Sequence, residues 1–310
     1  MYHLQLDQAN LKLSTMQNTT PDKQAIIELV ECPRDAMQGW GRPITTDTKV
    51  AYLSRLLKVG FPVLDFGSFV SPKAIPQMAD TAEVLEKLDL KSLNTATKLL
   101  AIIANQRGAE QACQYEQIHY LGFPFSVSET FQLRNTHSTR EESFERVKAI
   151  QECCIHHGKQ LVIYLSMGFG NPYGDPYSAG LLQEWTEKMA GLGIRIISLA
   201  DTVGLATPMQ IKDALTSLIP HYPDITFGVH LHSRKADSLE KIQAALDGGC
   251  LRFDGALKGI GGCPMAQDDL VGNMDTELMI TYFKQKGYRL SLNESALTQA
   301  LAMTSSVFLS

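Results

Sequence analysis

Four residues of metal-ligating types occupy positions that a folded chain can bring together. His230 and His232 are two apart in an apolar run, so on a β-strand both imidazoles leave the same face. Asp35 follows another apolar run, and Asn273 lies downstream of both. Two imidazoles, a carboxylate and an amide oxygen favour an octahedral Mg²⁺ or Mn²⁺ ion, although a catalytic Zn²⁺ also fits. The set predicts a metal site, and structural histidines are the alternative.

Three further charged residues could serve the same chemistry. Arg34 precedes Asp35, and a guanidinium beside a metal stabilises negative charge that develops on an oxygen. Asp65 and Asp201 each lie in an apolar run, where a carboxylate can act as a base, orient another group or simply end a strand. An ordinary ion pair between Arg34 and one of these two acids is the competing interpretation.

The stretch GGCPMA, at 261–266, carries a cysteine near the end of the chain. Taken alone it indicates a turn with an inert thiol, because Gly-Gly and Pro interrupt regular structure. Glycines also permit a hinge, and a thiol has a pKa suited to proton transfer. The alternative is therefore a mobile loop that carries Cys263 into an active site.

Eight short apolar runs, separated by longer helical patterns, must position these residues. The runs are 26–31, 62–68, 97–105, 118–124, 161–167, 194–201, 225–232 and 250–257. Most read as continuous apolar segments, as parallel strands buried on both faces do. Eight such units predict an α/β fold, a (β/α)8 TIM barrel, whose chemistry lies at the C-terminal ends of the strands. A doubly wound open sheet is the alternative, but no G-x-G-x-x-G follows the first run.

The helical patterns predict where helices of the outer layer of the barrel begin and end. The clearest helix lies within 138–158, where Ser138 and Glu141 could form a capping box and Gly158 ends the helix. Residues 1–24 read as a loose N-terminal extension, and 25–310 as a single catalytic barrel domain. A helical segment from about residue 287 adds a C-terminal helix beyond the eighth unit.

Composition excludes several other classes of protein. The chain of 310 residues is 44% hydrophobic and 20% charged, with a net charge of −5, so it offers no basic face for nucleic acid. No apolar run approaches the roughly 18 residues that span a membrane. Residues 1–24 lack the pattern of a secretory signal, and the six cysteines show neither zinc-finger nor disulfide-scaffold spacing. We therefore expect a cytoplasmic protein.

Several motifs follow one another along residues 26 to 285 in the order found in one enzyme family. They are CPRDAMQ (32–38), GSFVSPKAIPQM (67–78), SVSETF (126–131), EESFERV (141–147), SLADTVGLATP (198–208), HLH (230–232) and GIGGCPMA through GN (259–273). Together they resemble the 3-hydroxy-3-methylglutaryl-CoA (HMG-CoA) lyases, metal-dependent enzymes built on a TIM barrel. The G-G-C-P loop is typical of these lyases and differs in the related condensing enzymes and aldolases.

The resemblance implies a retro-Claisen cleavage of HMG-CoA to acetoacetate and acetyl-CoA. In the implied roles, Arg34 stabilises the enolate of acetyl-CoA, Cys263 supplies its proton from a closing loop, and Asp201 is tied to the same proton transfer. The implied ligands of Mg²⁺ or Mn²⁺ are Asp35, His230, His232 and Asn273. The implied catalytic group is Arg34, Cys263, Asp201, His230 and Asp65. We also expect an acyl-CoA as the small-molecule partner, with the CoA moiety bound as part of the substrate, and a homodimer, as in similar lyases.

The sequence departs from the family pattern around the implied site. The departures are Cys32 and Ala36 for glycines, Val30 and Asp65 for glutamates, Ser233 for an acid and Asn171 for a cysteine. Because Asp65 is one methylene shorter than glutamate, we expect it to alter the reach to substrate or to Arg34. A lyase for a longer-branched 3-hydroxyglutaryl-CoA is therefore an alternative. A Claisen condensing acyltransferase, a pyruvate-type aldolase and a CoA-ester-binding barrel without turnover are further alternatives.

Overall fold

Eight parallel strands pair in chain order, and the first pairs with the last, which closes a barrel. The computed structural model describes residues 25–93, 95–262 and 271–308. The strands are β1 (Glu28–Glu31), β2 (Val63–Ser68), β3 (Lys98–Ile102), β4 (Ile118–Ser126), β5 (Gln160–Ser166), β6 (Ile196–Asp201), β7 (Thr226–Leu231) and β8 (Arg252–Gly255). Each overlaps one of the eight predicted runs. The predicted TIM barrel is confirmed, and the open sheet is excluded.

Helices surround the barrel and connect its strands. They are α1 (Pro33–Gln38), α2 (Thr46–Val59), α3 (Thr81–Lys87), α4 (Leu90–Leu93), α5 (Gln106–Cys113), α6 (Glu129–Thr136), α7 (Arg140–His156), α8 (Ala179–Gly191), α9 (Pro208–His221), α10 (Ser238–Asp247), α11 (Thr276–Gln285) and α12 (Glu294–Phe308). Within the described ranges, no helix is both long and apolar enough to span a membrane.

The C-terminal helix α12 confirms the predicted extra helix, but it starts later than predicted. Gly287, with φ +85°, ends α11 in the left-handed region. Arg289 then pairs with Ile26, so the chain is extended where a helix from about 287 was expected. Asn293 caps α12 by accepting a hydrogen bond from the backbone N–H of Ala296 at 3.0 Å. Residues 1–24 lie outside the described residues, and the single-domain assignment of 25–310 stays a prediction.

Helix α7 begins one residue later than its sequence pattern indicated. The capping box is formed by Thr139 and Glu142, not by Ser138 and Glu141. Ser138 is buried, and its hydroxyl lies 2.8 Å from the Thr136 hydroxyl at the end of α6. Two adjacent S/T-x-x-E frames exist in this stretch, and the contact with α6 selects the second.

The apolar core has two layers that follow from the alternation of strand side chains. One layer lies between strands and helices and includes Leu64, Leu121 and Ile163. The other fills the barrel interior and includes Val30 and Val162. At the C-terminal end of the strands the barrel interior also holds polar side chains, among them Asp65, Ser166 and His230, and these mark the candidate site.

Candidate active site

Three side chains with metal-ligating atoms converge at the C-terminal end of the barrel. Asp35, His230 and His232 each offer one ligand atom, and these atoms lie within 4.8 Å of one another. His230 lies on β7 and His232 directly follows it, with the two ring centroids 5.1 Å apart. Asp35 belongs to the short helix α1, which begins at Pro33 directly after β1 and Cys32. The spacing of two along the strand has placed both imidazoles on the barrel-mouth side.

The electrostatics of this group fit a divalent cation. The Nδ1 atom of His232 is buried and has no hydrogen-bond partner within the described part of the chain, an arrangement that a metal ion would satisfy. Burial and the neighbouring His230 lower the pKa of His232 to about 4, so the ring is neutral and offers a lone pair. Burial alone would raise the pKa of Asp35, but Arg34 and the two histidines lower it to about 2. The group thus combines one anion with imidazole donors.

Arg34 is held by two carboxylates on the same side of the barrel. Its Nη2 donates to Asp65 at 2.6 Å, its Nε donates to the same carboxylate at 3.0 Å, and its Nη1 donates to Asp35 at 2.9 Å. The shorter Asp65 therefore reaches Arg34, and the expectation that the missing methylene alters its reach stays a prediction. Burial raises the pKa of Asp65 to about 6 while Arg34 opposes the shift, so this carboxylate is ionised at neutral pH. The fixed guanidinium faces the same end of the barrel as the ligand group.

Asn273 lies beside Asp35 with its amide nitrogen toward the carboxylate. The Nδ2 atom donates to Asp35 Oδ2 at 2.8 Å and to the Ile260 carbonyl at 2.9 Å. In this orientation Asn273 supports Asp35, and its predicted role as an oxygen ligand stays a prediction. Gln38, one helical turn after Asp35, donates to the other carboxylate oxygen at 2.8 Å.

Gly261, two residues before Cys263, packs directly against the ligand group. Gly261 has φ +98°, and a Cβ added to it would lie 2.9 Å from the Asp35 carbonyl oxygen and 2.7 Å from the amide nitrogen of Asn273. A side chain at this position would therefore collide with the backbone that holds Asp35. Cys263 itself lies outside the described residues, so its predicted catalytic role stays a prediction.

His230 has a buried carboxylate partner that the sequence did not reveal. Its Nδ1 lies 3.3 Å from Asp254 Oδ2, on the neighbouring strand β8. Burial disfavours the charged ring, but the hydrogen bond with Asp254 and the negative charges of Asp254 and Asp35 together outweigh burial and raise the pKa of His230. Cys32, His230 and Asp254 form a second group of possible ligands, but burial raises the pKa of Cys32 well above its usual range and so keeps the thiol protonated. Asp254 thus fixes the orientation of His230.

Asp201 does not line the cavity at the barrel mouth, although its neighbours Ala200 and Thr202 do. Alternation along β6 turns its side chain toward the helix layer, where its Oδ2 accepts from Lys241 Nζ at 2.8 Å and from the Ala206 N–H at 3.1 Å. Lys241 is buried and also donates to the His232 carbonyl at 3.0 Å. Asp201 is thereby connected to the ligand group through Lys241, another residue that the sequence analysis missed.

A cavity of about 340 Å³ opens beside the ligand group. Arg34, Asp35, His230 and His232 line one part of it. The remaining wall is largely apolar and includes Val70, Ile75, Ile102, Pro124 and Phe131. A small polar head and a larger apolar wall suit a short branched acyl group with a carboxylate or hydroxyl at one end.

Val30 stands where the family pattern has a glutamate, and the neighbouring Glu31 does not take over that position. Val30 lies in the barrel interior, whereas Glu31 points outward, where it accepts from the Leu257 N–H at 2.8 Å and from the Thr276 hydroxyl at 2.6 Å. Adjacent strand residues face opposite sides, so Glu31 cannot take the position of a glutamate at 30.

Two other departures also point away from the cavity. The Ser233 hydroxyl donates to the Arg234 carbonyl at 2.9 Å. The Asn171 side chain accepts from the Tyr173 and Asp175 N–H groups at 3.0 and 3.1 Å, which shapes the loop after β5. Both residues therefore have local structural roles.

Comparisons with known proteins point to one family over nearly the whole chain. A family model described as HMGL-like matches residues 27–304. The mitochondrial hydroxymethylglutaryl-CoA lyase of Macaca fascicularis is 32% identical over 285 residues, covering 91% of this chain and 85% of that protein. The crystal structure of the HMG-CoA lyase from Brucella melitensis superposes with a TM-score of 0.85 at 28% identity, covering 92% of this chain and 100% of that one.

A further structure of similar fold contains ligands. An HMG-CoA lyase from Acinetobacter baumannii, in complex with coenzyme A and 3-methylmalate, has a TM-score of 0.84 and 30% identity, with 91% of each chain covered. The family model, the sequence relatives and the fold agree on one assignment. The chain belongs to the HMGL-like family and is a carbon–carbon lyase.

Proposed function

We propose that this protein is a divalent-metal-dependent lyase that cleaves HMG-CoA to acetoacetate and acetyl-CoA. The observation that carries the proposal is the convergence of Asp35, His230 and His232, with Arg34 fixed beside them, at the mouth of the barrel. The related structure that holds coenzyme A and 3-methylmalate supports an acyl-CoA substrate with a branched hydroxy acid portion.

The proposed metal ligands are Asp35, His230, His232 and Asn273, with Mg²⁺ or Mn²⁺ as the ion. When bound, such an ion acidifies the C3 hydroxyl of the substrate and neutralises its carboxylate. The hydroxyl proton passes to solvent at the open mouth of the barrel, from which the Cys263 thiolate later regains the proton that it gives to C2. Loss of the hydroxyl proton lets the C2–C3 bond break, so that C3 becomes the ketone of acetoacetate. The electron pair of that bond passes to C2 and forms the enolate of acetyl-CoA.

Three residues of this chain complete the reaction. The Arg34 guanidinium stabilises the enolate oxygen, and Asp65 holds the guanidinium in place through its hydrogen bonds. Cys263 then donates a proton to C2, which gives acetyl-CoA. The two glycines before Cys263 allow its loop to close after the substrate has entered.

Asp201 takes a positioning role in this proposal. Because it is paired with Lys241, and Lys241 donates to the His232 carbonyl, it supports the end of β7 that carries both histidines. Because Asp201 does not line the cavity, we assign it an effect through His232, and its part in proton transfer stays a prediction.

The test is product formation from HMG-CoA by the reduced protein, with Mn²⁺ or with EDTA. We expect acetoacetate and acetyl-CoA in equal amounts only with the metal.

Arg34→Gln should lower kcat by about 100-fold or more, as removal of a donor to a developing oxyanion does. Cys263→Ser should also lower kcat, whereas Cys250→Ser, a matched change at a buried thiol outside the site, should not. Absence of metal-dependent products would overturn the proposal and return the condensing enzyme and the aldolase as alternatives, and a Cys263→Ser variant with full activity would remove the proton-donor role assigned to Cys263.

The apolar wall of the cavity favours a second candidate, a lyase for a longer-branched 3-hydroxyglutaryl-CoA. Val70, Ile102 and Phe131 contribute apolar surface against which a longer branch can pack. Comparison of kcat/KM for 3-methyl, 3-propyl and longer 3-alkyl substrates separates the two candidates. A maximum at methyl supports HMG-CoA, and a maximum at a longer chain supports the second candidate.

The cytoplasmic location and the homodimer also belong to the proposal. Light scattering of the purified protein tests the oligomeric state, and cell fractionation tests the location.

A further inference from the structure

A group of thiols and one imidazole lies far from the cavity, between helices α5 and α7. Cys113 is the last residue of α5, and Cys153 lies near the C-terminal end of α7, with His157 directly after that helix. In a barrel of this type the helices run antiparallel to the strands, so their C-terminal ends lie opposite the catalytic mouth. The described cysteines are free thiols. The proposed lyase reaction uses none of these three residues.

The separations within this group are those of a tetrahedral metal site. The Sγ atoms of Cys113 and Cys153 are 3.6 Å apart, and Cys153 Sγ lies 3.8 Å from His157 Nδ1. One ligand atom from each of the three residues lies within 4.8 Å of the others. In tetrahedral zinc sites, with Zn–S about 2.3 Å and Zn–N about 2.0–2.1 Å, neighbouring ligand atoms are about 3.6–3.8 Å apart.

The local chemistry favours a soft divalent ion. Two thiols and an imidazole are the ligand types of tetrahedral zinc sites. A thiolate is the form of cysteine that binds metal. Cys153 and His157 are four residues apart along the end of α7, so they present their side chains on one face.

The His157 imidazole can rotate toward a metal ion at a small cost in free energy. His157 is exposed, and its Nδ1 lies 2.9 Å from the Cys153 carbonyl at the solvent-facing end of the helix. Loss of this exposed contact can be replaced by water. The exposure of His157 also leaves room for a water molecule as the fourth ligand.

We propose that Cys113, Cys153 and His157 bind a Zn²⁺ ion that ties α5 to α7 at the barrel end opposite the catalytic mouth. The two thiols lose their protons on binding, so uptake of zinc releases protons to the solvent. The ion joins two helices whose ligands are 40 residues apart along the chain.

The test separates this site from the catalytic one. An Asp35→Asn/His232→Gln background removes two of the proposed catalytic ligands, and the protein is reduced without oxygen. Titration with Co²⁺ should then give one ion per chain and a thiolate-to-cobalt charge-transfer band in the near ultraviolet. Zn²⁺ should displace the cobalt and abolish the band.

Matched variants assign the ligands. Cys113→Ser and Cys153→Ser should each remove the band and weaken zinc binding by at least about 100-fold, since loss of even an outer partner costs 10–100-fold. His157→Ala should weaken binding at an exposed position that does not endanger folding. Cys250→Ser and His156→Ala, the corresponding controls outside the ligand set, should bind as the background does.

Three results would overturn the inference. The first is the lack of a thiolate band in the reduced background protein. The second is a band that survives Cys113→Ser and Cys153→Ser, which would place the cobalt at another thiol. The third is a Cys113–Cys153 disulfide in the purified protein combined with no zinc uptake after reduction, which would make the group a redox pair.

Discussion

At the scale of single residues, the candidate site is a set of ligands whose orientations are fixed by partners. Asp35 accepts from Arg34, Gln38 and Asn273, and His230 is held by Asp254. A carboxylate behind a metal-binding imidazole orients the ring and increases its basicity. Asp254 should therefore influence metal affinity without touching the ion.

Replacement of Asp254 by asparagine tests this role. Asp254→Asn keeps the size of the side chain and removes its charge, so His230 loses part of its orientation. We expect Mn²⁺ affinity, measured by isothermal titration, to fall by about 10–100-fold. The matched control is Asp224→Asn, at an exposed turn before β7, which should bind Mn²⁺ as the unmodified protein does. Equal affinities for the two variants would show that Asp254 does not support the ligand.

The two histidines among the proposed ligands could be predicted to lie together from the sequence because their spacing is local information. The H-x-H spacing on an apolar run places His230 and His232 on one face in any strand. Asp254 could not be predicted as a partner, because its contact with His230 depends on the register between β7 and β8. The same reason applies to Lys241, which reaches the His232 carbonyl from α10.

At the scale of elements, the loop after β8 is anchored at the ligand group. Gly261 lies against Asp35 and Asn273 with a positive φ, so the loop that carries Cys263 leaves the barrel at the proposed metal site. This contact explains why a glycine is needed there beyond its freedom to form a hinge.

A methyl group at Gly261 should therefore disturb the site. In Gly261→Ala the Cβ meets the Asp35 carbonyl oxygen and the Ala36 Cα at 2.9 Å, so backbone must move. We expect a lower kcat and weaker Mn²⁺ binding. Gly170→Ala is the control, because Gly170 has a similar φ of +113° but nothing within 4 Å of an added Cβ. If both variants lose activity equally, backbone strain rather than the contact with Asp35 is the cause.

Element boundaries were less predictable than element order. Alternating apolar runs and helical patterns are long, redundant signals, and they gave all eight strands. The start of α7 depends instead on one contact, between Ser138 and Thr136 of the preceding helix. The start of α12 depends on the pairing of Arg289 with Ile26, two residues far apart in the chain.

At the scale of the whole molecule, the free energy of unfolding should depend on pH through one buried acid outside the site. Glu31 is fully buried, and burial raises its pKa from 4.5 to about 8 against the hydrogen bonds from Thr276 and Leu257. The folded state then holds the proton more tightly than the unfolded state does. The stability that this group contributes is complete below about pH 4.5 and is lost as the pH rises to about 8.

The Glu31→Gln variant should not show this loss. Glutamine stays neutral and can keep both contacts, accepting from the Leu257 N–H and donating to the Thr276 hydroxyl. Between pH 5 and 8 the unmodified protein should lose stability relative to the variant, by up to about 1.4 kcal/mol per pH unit. Urea unfolding in EDTA at several pH values measures the difference. Parallel curves would contradict the prediction, and Glu187→Gln, at an exposed position on α8, should give such parallel curves.

Closure of the barrel also determines the stage of synthesis at which the proposed metal site can form. The hydrogen bond between Asn273 and Asp35 joins residues 238 positions apart, and β1 pairs with β8 only after that last strand has been made. Chains are synthesised at about 5–20 residues per second. Asp35 is therefore made early, and most of the chain must still be synthesised before Asn273 exists. A ribosome-bound chain that ends before β8 has none of the closing contacts around Asp35. The proposed metal site is thus complete only late in the synthesis of the chain, so metal binding would report that the barrel has closed.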